Sequence, residues 1–410
     1  MRERHARGGW RRLIAVCACL PLAVAVGALP AGAETGKKAT SQKAVPQMGK
    51  MRLVPFEHSP FPFDGEIPEK GVRFLDVTEG ERKGHTSRSG SVLWQDKTYA
   101  DRRVLLSIPR GFDPRKPMLL VVFFHGNGAK LERDVHLRQQ VARQVTQSAP
   151  NTVLIAPQFA VDAADSSAGR FWEPGMLRAF LEEAADHLAQ LWGDPKTQAA
   201  FAAAPVVLVA YSGGYLPAAF SLLHGDADDR VQGLVLLDAL YGEVDKFRDW
   251  MARKPGGFFV SVYTDFTAGV NQALQKQMRD DNLAYATSLP RRIEPGTLSF
   301  VSVPLKFTPR KPEKEREPLS AERKAADQRD RDKAALDLHM DFVTHAFAAD
   351  PLRLILARVP RPGHAVAAPP AAASRDPNYV ARMPRPRPKS VLPDPAPEAP
   401  PPRPPTSRAD

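Results

Sequence analysis

Seven short apolar runs, separated by stretches of helical periodicity, constrain the fold of this chain most strongly. The runs occupy residues 103–108, 119–124, 152–156, 206–210, 231–237, 258–263 and 298–303. Helical patterns lie near residues 131–146, 176–192, 214–223, 243–252 and 269–282. Val-rich strands that alternate with helices are typical of βαβ units around a buried parallel sheet. The sequence therefore predicts an α/β fold, with a mostly parallel central sheet flanked by helices, and a site at the carboxyl ends of its strands.

The first 33 residues have the composition of a secretory signal peptide. Five arginines precede an apolar stretch over residues 13–29, and Ala31, Gly32 and Ala33 follow it. A positive head, an apolar middle and a small-residue end are the three parts of such a signal. The alternative is an uncleaved membrane anchor, for which this apolar stretch is short. We expect cleavage after Ala33 and a periplasmic or secreted protein.

The cysteines of this chain lie only in the segment that is expected to be removed. The two cysteines, Cys17 and Cys19, both lie inside the signal segment. The mature chain is therefore expected to contain neither a disulfide nor a thiolate nucleophile.

The segments around the predicted main domain, residues 98–358, differ from it in composition. Residues 34–97 begin as a Lys-rich linker and continue with alternating Pro and Phe, which predicts an extended segment laid across a surface. Residues 308–334 hold 16 charged side chains among 27, which favours a solvated, partly helical insertion over a lid. From residue 361 onward 15 of 50 residues are proline, so residues 359–410 are predicted to be a disordered tail.

The net charge of +11 is concentrated at the two ends of the chain. The signal segment and the tail each carry an excess of four positive charges, which leaves an excess of three for everything between them. With so weak an excess no phosphate-tracking stripe is evident, so we expect no nucleic-acid partner. The basic tail is expected to make at most weak contacts with membrane or cell-wall surfaces.

One strand runs directly into a serine flanked by small residues. Residues 206–210 are followed by Tyr211, Ser212, Gly213 and Gly214, and then by a helical pattern. A sharp strand-to-helix turn lifts the serine Oγ clear of the sheet, and it requires small residues two positions to either side. Ala210 and Gly214 meet that requirement, although glycine is more usual at the first position. The pattern predicts Ser212 as a nucleophile.

A glycine-rich loop follows an earlier strand. It reads His125-Gly126-Asn127-Gly128, directly after the run at 119–124. Backbone N–H groups in such a loop are able to face a developing oxyanion. We expect one donor from Asn127 and the other from Gly213, which follows the nucleophile. His125 is expected to pack within the loop rather than to act as a base.

Together, the His125-Gly126 loop and the Ser212 turn resemble the α/β-hydrolase family over roughly residues 98–358. The resemblance implies an eight-stranded, mostly parallel sheet and a catalytic triad in the chain order serine, acid, histidine. Residues 134–140, 156–174, 211–217 and 236–242 are more closely similar to a group of exported proteobacterial hydrolases of unassigned substrate.

The resemblance places the triad histidine after the last strand and the acid after one of the two strands before it. His339 is favoured over His345, because His339 opens a pattern whose apolar positions predict a helix, whereas His345 falls inside it. Asp238 and Asp265 each follow a strand, and Asp238 is favoured over the more usual later position of Asp265. The acid would orient the histidine and stabilise its charged form.

These residues predict an exported serine hydrolase that cleaves a carboxylic ester or an amide through an acyl-enzyme on Ser212. The alternatives are a cell-wall peptide or amide hydrolase and a non-catalytic envelope binding protein on a hydrolase fold. The polar loop at residues 158–173 is expected either to contact a polar substrate or to bond within itself. No cofactor and no metal ion are expected, and the oligomeric state is left open.

Overall fold

A computed structural model describes residues 48–308 and 320–361. The predicted signal peptide, the Lys-rich linker up to residue 47, part of the charged insertion and the Pro-rich tail from residue 362 lie outside the described residues. Among those described, no helix is both long enough and apolar enough to cross a membrane.

Eight strands form the central sheet. In chain order they are β1 Met48–Pro55, β2 Arg103–Pro109, β3 Leu119–Phe124, β4 Thr152–Pro157, β5 Val206–Tyr211, β6 Val231–Leu237, β7 Phe258–Tyr263 and β8 Leu298–Ser302. Their spatial order is β1-β2-β4-β3-β5-β6-β7-β8. Only β2 runs antiparallel to its neighbours, and the six strands β3 to β8 are parallel to one another. The predicted α/β class with a mostly parallel sheet is therefore confirmed.

Nine helices flank the sheet in the described part of the chain. They are α1 Gln95–Thr98, α2 Val141–Thr146, α3 Met176–Trp192, α4 Gln198–Ala203, α5 Tyr215–His224, α6 Val244–Arg253, α7 Ala268–Asp280, α8 Ala321–Met340 and α9 Pro351–Leu356. A π-helical segment at Leu131–Arg138 and three short 3-10 turns, at Gly169–Trp172, Pro195–Thr197 and Ser212–Gly214, complete them.

The sheet divides the apolar core in two. Because successive strand residues point to opposite faces, Leu120 and Val122 of β3 pack with α3 to α7, whereas Leu119 and Val121 pack with α2 and α9. Every residue of β3 is buried. Burial on both faces explains why these strands are continuous apolar runs rather than alternating ones.

The compact core begins well before residue 98. Strand β1 pairs antiparallel with β2, with Leu53 opposite Leu105, and forms the edge of the central sheet. The rest of the segment folds into short strands at Glu66–Ile67, Val72–Arg73, Val77–Glu79, Arg82–Thr86 and Val92–Trp94. The expectation of a linker and extended segment up to residue 97 is thus corrected from residue 48 onward.

Phe56 is expected to contribute strongly to stability, because it ties the N-terminal segment to the main core. Its ring is fully buried, with ring centroids 5.3 Å from Phe180 and 4.6 Å from His187 of α3. We expect Phe56→Ala to lower the free energy of unfolding by about 3–5 kcal/mol, through lost burial and the cavity left behind. Urea denaturation, monitored by circular dichroism, measures this free energy of unfolding.

Val72 provides the control, since it lies in the same segment but is 49% exposed. Val72→Ala is expected to change stability by less than about 0.5 kcal/mol. Equal stabilities of the two variants would show that the N-terminal segment does not unfold with the core.

Candidate active site

The strand-to-helix turn after β5 holds Ser212 in an unusual backbone conformation. Ser212 has a φ of 50°, a left-handed value that is uncommon for a residue with a side chain. The 3-10 turn Ser212–Gly214 leads directly into α5. A Cβ on Gly214 would lie 2.3 Å from the carbonyl oxygen of Phe124, closer than any real contact allows. Close approach to β3 therefore explains why the sequence has glycine two positions after the serine.

Substitution of Gly214 tests this packing. We expect Gly214→Ala to destabilise the protein by about 1–3 kcal/mol and to reduce activity, because the added methyl group must displace the backbone of β3 or of the Ser212 turn. Gly269→Ala is the matched control, since a Cβ at this position of α7 meets nothing within 4 Å. The control is expected to be neutral or stabilising by up to about 1 kcal/mol. Thermal unfolding compares the two, and an unchanged Gly214→Ala would contradict the packing argument.

Three side chains from distant parts of the chain form one continuous line of hydrogen bonds. The Oγ of Ser212 lies 2.9 Å from Nε2 of His339, and Nδ1 of His339 lies 2.7 Å from Oδ2 of Asp238. All three residues are buried. The distances are those required for a base to accept the serine proton while an acid fixes the imidazole tautomer.

Asp238 lies directly after β6 and is fully buried. Its two oxygens accept hydrogen bonds from the Thr264 backbone N–H at 2.9 Å, the Thr264 hydroxyl at 2.7 Å and the Thr267 hydroxyl at 2.7 Å. Burial raises the pKa of Asp238, but the hydrogen bond and charge of His339 and the hydrogen bonds from Thr264 outweigh it. The pKa of this carboxyl is therefore held below its ordinary value.

The two alternative candidates lie outside this line of hydrogen bonds. Asp265 is largely exposed, and its carboxylate lies 3.8 Å from the guanidinium of Arg331. His345 is exposed, and its backbone N–H donates to the carbonyl oxygen of Asp341. The structure thus brings Ser212, His339 and Asp238 together and leaves Asp265 and His345 apart.

His339 occupies a different local structure from the one expected. The sequence predicted that it would open a helix, but it lies in the last turn of α8, which ends at Met340. The apolar residues that follow, Phe342 and Val343, pack under the sheet from a turn instead. The hydroxyl of Tyr211 donates to the His339 carbonyl oxygen at 2.8 Å, and its ring stacks on the imidazole at 5.4 Å. Tyr211 thereby fixes both the backbone and the ring of His339.

The glycine-rich loop after β3 lies against the serine. A Cβ on Gly126 would be 2.8 Å from the Cβ of Ser212, and a Cβ on Gly213 would be 2.2 Å from Oδ1 of Asn127. The loop backbone and the start of the Ser212–Gly214 turn are therefore next to each other. N–H groups in the first turn of a helix have no partner within that helix. The expected oxyanion donors Asn127 and Gly213 belong to these two neighbouring segments.

His125 has the packing role that its position suggested. Its Nε2 accepts a hydrogen bond from the Phe159 N–H at 2.9 Å, so Nδ1 carries the proton that is donated to the Gly126 carbonyl oxygen at 2.8 Å. Burial lowers the pKa of His125 to about 4. The imidazole is therefore neutral near neutral pH, and both of its nitrogens are already hydrogen-bonded, one to Gly126 and the other to Phe159 after β4.

The polar loop after β4 mostly bonds within itself and to its neighbours. Asp165 accepts from the Tyr99 hydroxyl at 2.7 Å and from the Ser167 hydroxyl at 2.9 Å. Ser166 is the exception, because its hydroxyl donates to Oδ1 of Asn127 at 3.1 Å, beside Gly213. Bonds within the loop join Asp165 to Ser167 and Arg170 to Glu173, whereas Gln158 and Asp162 bond to residues 125–133. The expected internal bonding therefore describes only part of the loop.

Sequence reasoning missed three residues that complete the site, Tyr211, Thr264 and Thr267. It singled out the polar loop that contains Ser166 but did not anticipate the hydrogen bond from Ser166 to Asn127. Position could have indicated Thr264, which directly follows β7 at the carboxyl edge of the sheet. Tyr211 and Thr267 gave no comparable signal, since their contacts to His339 and Asp238 join separate parts of the chain. In the described residues, no group of three or more His, Cys, Asp or Glu side chains is arranged to hold a metal ion.

An eight-stranded, mostly parallel sheet, a serine on a strained strand-to-helix turn, and the chain order serine, aspartate, histidine define an α/β-hydrolase fold. No protein-family model matches the chain, and no curated protein sequence matches it.

Several solved structures resemble the chain at low similarity. The feruloyl esterase module from Clostridium thermocellum, complexed with sinapinate, is 13% identical over 61% of this chain and 89% of its own, with a TM-score of 0.33. A thermophilic esterase from Thermogutta terrifontis is 12% identical over 49% of this chain and 78% of its own, with a TM-score of 0.29. Dienelactone hydrolase from Anabaena variabilis is 16% identical over 62% and 95%, with a TM-score of 0.28. The central sheet and the Ser212 turn define the fold independently of these neighbours.

Proposed function

We propose that this protein is an exported serine hydrolase that cleaves a carboxylic ester through an acyl-enzyme on Ser212. One observation carries the proposal: Ser212, His339 and Asp238 are joined by hydrogen bonds of 2.9 Å and 2.7 Å around a serine held at a φ of 50°. Strained backbone of this kind clusters at active sites, where the surrounding structure holds it in place.

The geometry supports a two-step reaction. Nε2 of His339 takes the proton from Ser212 as Oγ attacks the ester carbonyl, and Asp238 stabilises the imidazolium that forms. The N–H groups of Asn127 and Gly213 stabilise the oxyanion. His339 then protonates the departing alcohol, and the acyl group stays on Oγ. Water attacks this acyl-enzyme with His339 again as the base, which releases the acid and restores Ser212.

We propose an ester substrate and not an amide because the sequence resembles the α/β-hydrolase family, in which esters are the more common substrates. Export is supported by the composition of residues 1–33, and the substrate would then be a small molecule or an ester derived from the cell envelope. The triad itself requires no cofactor.

Labelling with a fluorophosphonate probe tests the mechanism. We expect an adduct on Ser212, located by peptide mass spectrometry, because the probe reports a serine activated by a neighbouring base. The adduct should be lost in His339→Ala and retained in His345→Ala, since only His339 contacts Oγ. A folded protein that gives no adduct would instead favour a non-catalytic binding role.

A further inference from the structure

The path of the proton determines where the leaving alcohol lies. In the proposed reaction Nε2 of His339 passes its proton to the leaving oxygen, and such a transfer requires heavy atoms about 2.6–3.2 Å apart. The carbon atoms attached to that oxygen must then lie along the edge of the imidazole ring. Whichever side chains border His339 on its accessible side will contact the alcohol part of the substrate.

Three aromatic side chains lie next to the His339 ring. One face of the ring is covered by Tyr211, which is buried, and Nδ1 is occupied by Asp238. Tyr241 approaches the imidazole edge-on, with ring centroids 6.3 Å apart at 89°, and Phe266 lies at 5.5 Å and 60°. Phe266 is 48% exposed and Tyr241 is half-buried, so both rings have surface that a ligand can reach.

A third ring extends this surface. Tyr215, the first residue of α5 and also half-buried, lies 5.8 Å from Tyr241. Tyr241 follows β6, and Phe266 follows β7, so the rings come from neighbouring strand ends at the same edge of the sheet. On the oxyanion side of Ser212 the neighbouring side chains are the polar Asn127 and Ser166 instead. The two sides of the serine therefore differ in chemistry.

We propose that Tyr215, Tyr241 and Phe266 form an aromatic subsite that binds the alcohol part of the substrate and selects an alcohol that carries an aromatic ring. The inference rests on the proposed function, because it takes His339 as the group that protonates the leaving oxygen. Rings at 4.5–7 Å in edge-to-face or offset arrangements attract one another beyond the effect of buried area. An aromatic alcohol thus gains more from this subsite than a saturated ring of the same size.

Three butyrate esters test the selection: phenethyl, cyclohexylethyl and ethyl butyrate. The first two leaving alcohols have the same number of heavy atoms and are both primary alkanols, so aromatic character is the main difference between them. We expect kcat/KM to rank phenethyl above cyclohexylethyl above ethyl, with the first two separated by about two- to tenfold. The acylation step, in which the alcohol leaves, is contained in kcat/KM, so the ratio reports the subsite directly.

Variants then assign the preference to the rings. Phe266→Leu and Tyr241→Leu keep an apolar side chain but remove the ring, and each should lower the phenethyl-to-cyclohexylethyl ratio by about two- to fivefold. Tyr241→Phe keeps the ring and should keep the ratio. The ratio between ethyl butyrate and ethyl hexanoate, which differ only in the acyl group, should stay at its wild-type value in the Leu variants. Because each ratio compares two substrates on one sample, partial misfolding does not alter it.

The outcomes separate the two proposals. No adduct on Ser212 and no hydrolysis of any ester would overturn the hydrolase function itself. An adduct without turnover of phenethyl butyrate, equal kcat/KM for the two cyclic esters, or an undiminished ratio in both Leu variants would overturn the aromatic subsite and leave the hydrolase proposal standing.

Discussion

Ser212→Ala is expected to lower kcat by about 10⁶-fold, because the proposed mechanism forms its covalent intermediate on this hydroxyl. The melting temperature should change little. The substitution deletes a single hydroxyl, which in the described residues is hydrogen-bonded to His339. Alanine meets the same backbone strain at a φ of 50° as serine does. Initial rates on a chromogenic butyrate ester, together with thermal unfolding, measure both quantities.

Ser221→Ala is the matched control for this change. Ser221 is also buried and lies in α5, nine residues beyond Ser212 in the chain and outside the hydrogen bonds that join Ser212, His339 and Asp238. Its replacement removes the same atom, and it should leave kcat unchanged. Turnover by Ser212→Ala close to that of the wild type would exclude Ser212 as the nucleophile.

Asp238→Asn is expected to lower kcat by about 10⁴-fold. The carboxylate accepts four hydrogen bonds, including the one from Nδ1 of His339, and donates none. An amide must place an NH₂ group against at least one of these donors, which favours the wrong tautomer of His339, and a neutral amide stabilises the imidazolium less. The same mispairing of a buried group should cost about 1–3 kcal/mol of stability near neutral pH.

The stability of the wild type relative to Asp238→Asn should depend on pH with a definite sign. The pKa of Asp238 is lower in the folded protein than in the unfolded chain. The carboxylate therefore stabilises the fold above its unfolded pKa of about 3.9, and this stabilisation disappears as the pH falls through the lower folded value. Denaturant titrations from neutral to acidic pH should show the gap between the two proteins narrowing below about pH 4.

Asp265→Asn is the control for both measurements, because Asp265 is exposed and follows the neighbouring strand. It should keep the kcat of the wild type and should show no comparable pH-dependent gap. A large loss of kcat in Asp265→Asn, with little loss in Asp238→Asn, would reverse the assignment of the acid.

Local patterns predicted most of the central sheet. Residues 119–124, 231–237 and 258–263 were predicted as strands, and the structure has strands with the same bounds. These strands could be predicted because a strand that is buried on both faces must be apolar throughout. The turn at Ser212 was visible for a similar reason, since its small residues are fixed by contacts within a few ångströms of the serine itself.

Segments without an apolar run were not visible in this way. Strand β1 is an edge strand whose residues are mostly exposed or half-buried, so its membership of the sheet depends on pairing with β2. Helix α8 buries only His339, and its supports are the Ser320 cap and spaced pairs such as Lys333–Asp337 at 2.6 Å. A charged helix of this kind has no hydrophobic period. The sequence therefore predicted a partly helical segment at residues 308–334 but not the bounds of α8, nor that the helix continues to Met340.

The tertiary structure also decides which of the two candidate aspartates contacts His339. Asp238 and Asp265 both follow strands that lie side by side, so sequence position alone left both open. Asp238 meets His339 because its own backbone turns at a φ of 45°, and because Thr264 and Thr267 from the next strand end hold its oxygens. The sequence by itself determined which residue types are present at the strand ends. Only folding, which brings residues a hundred positions apart to within 2.7 Å, decided which of them form the site.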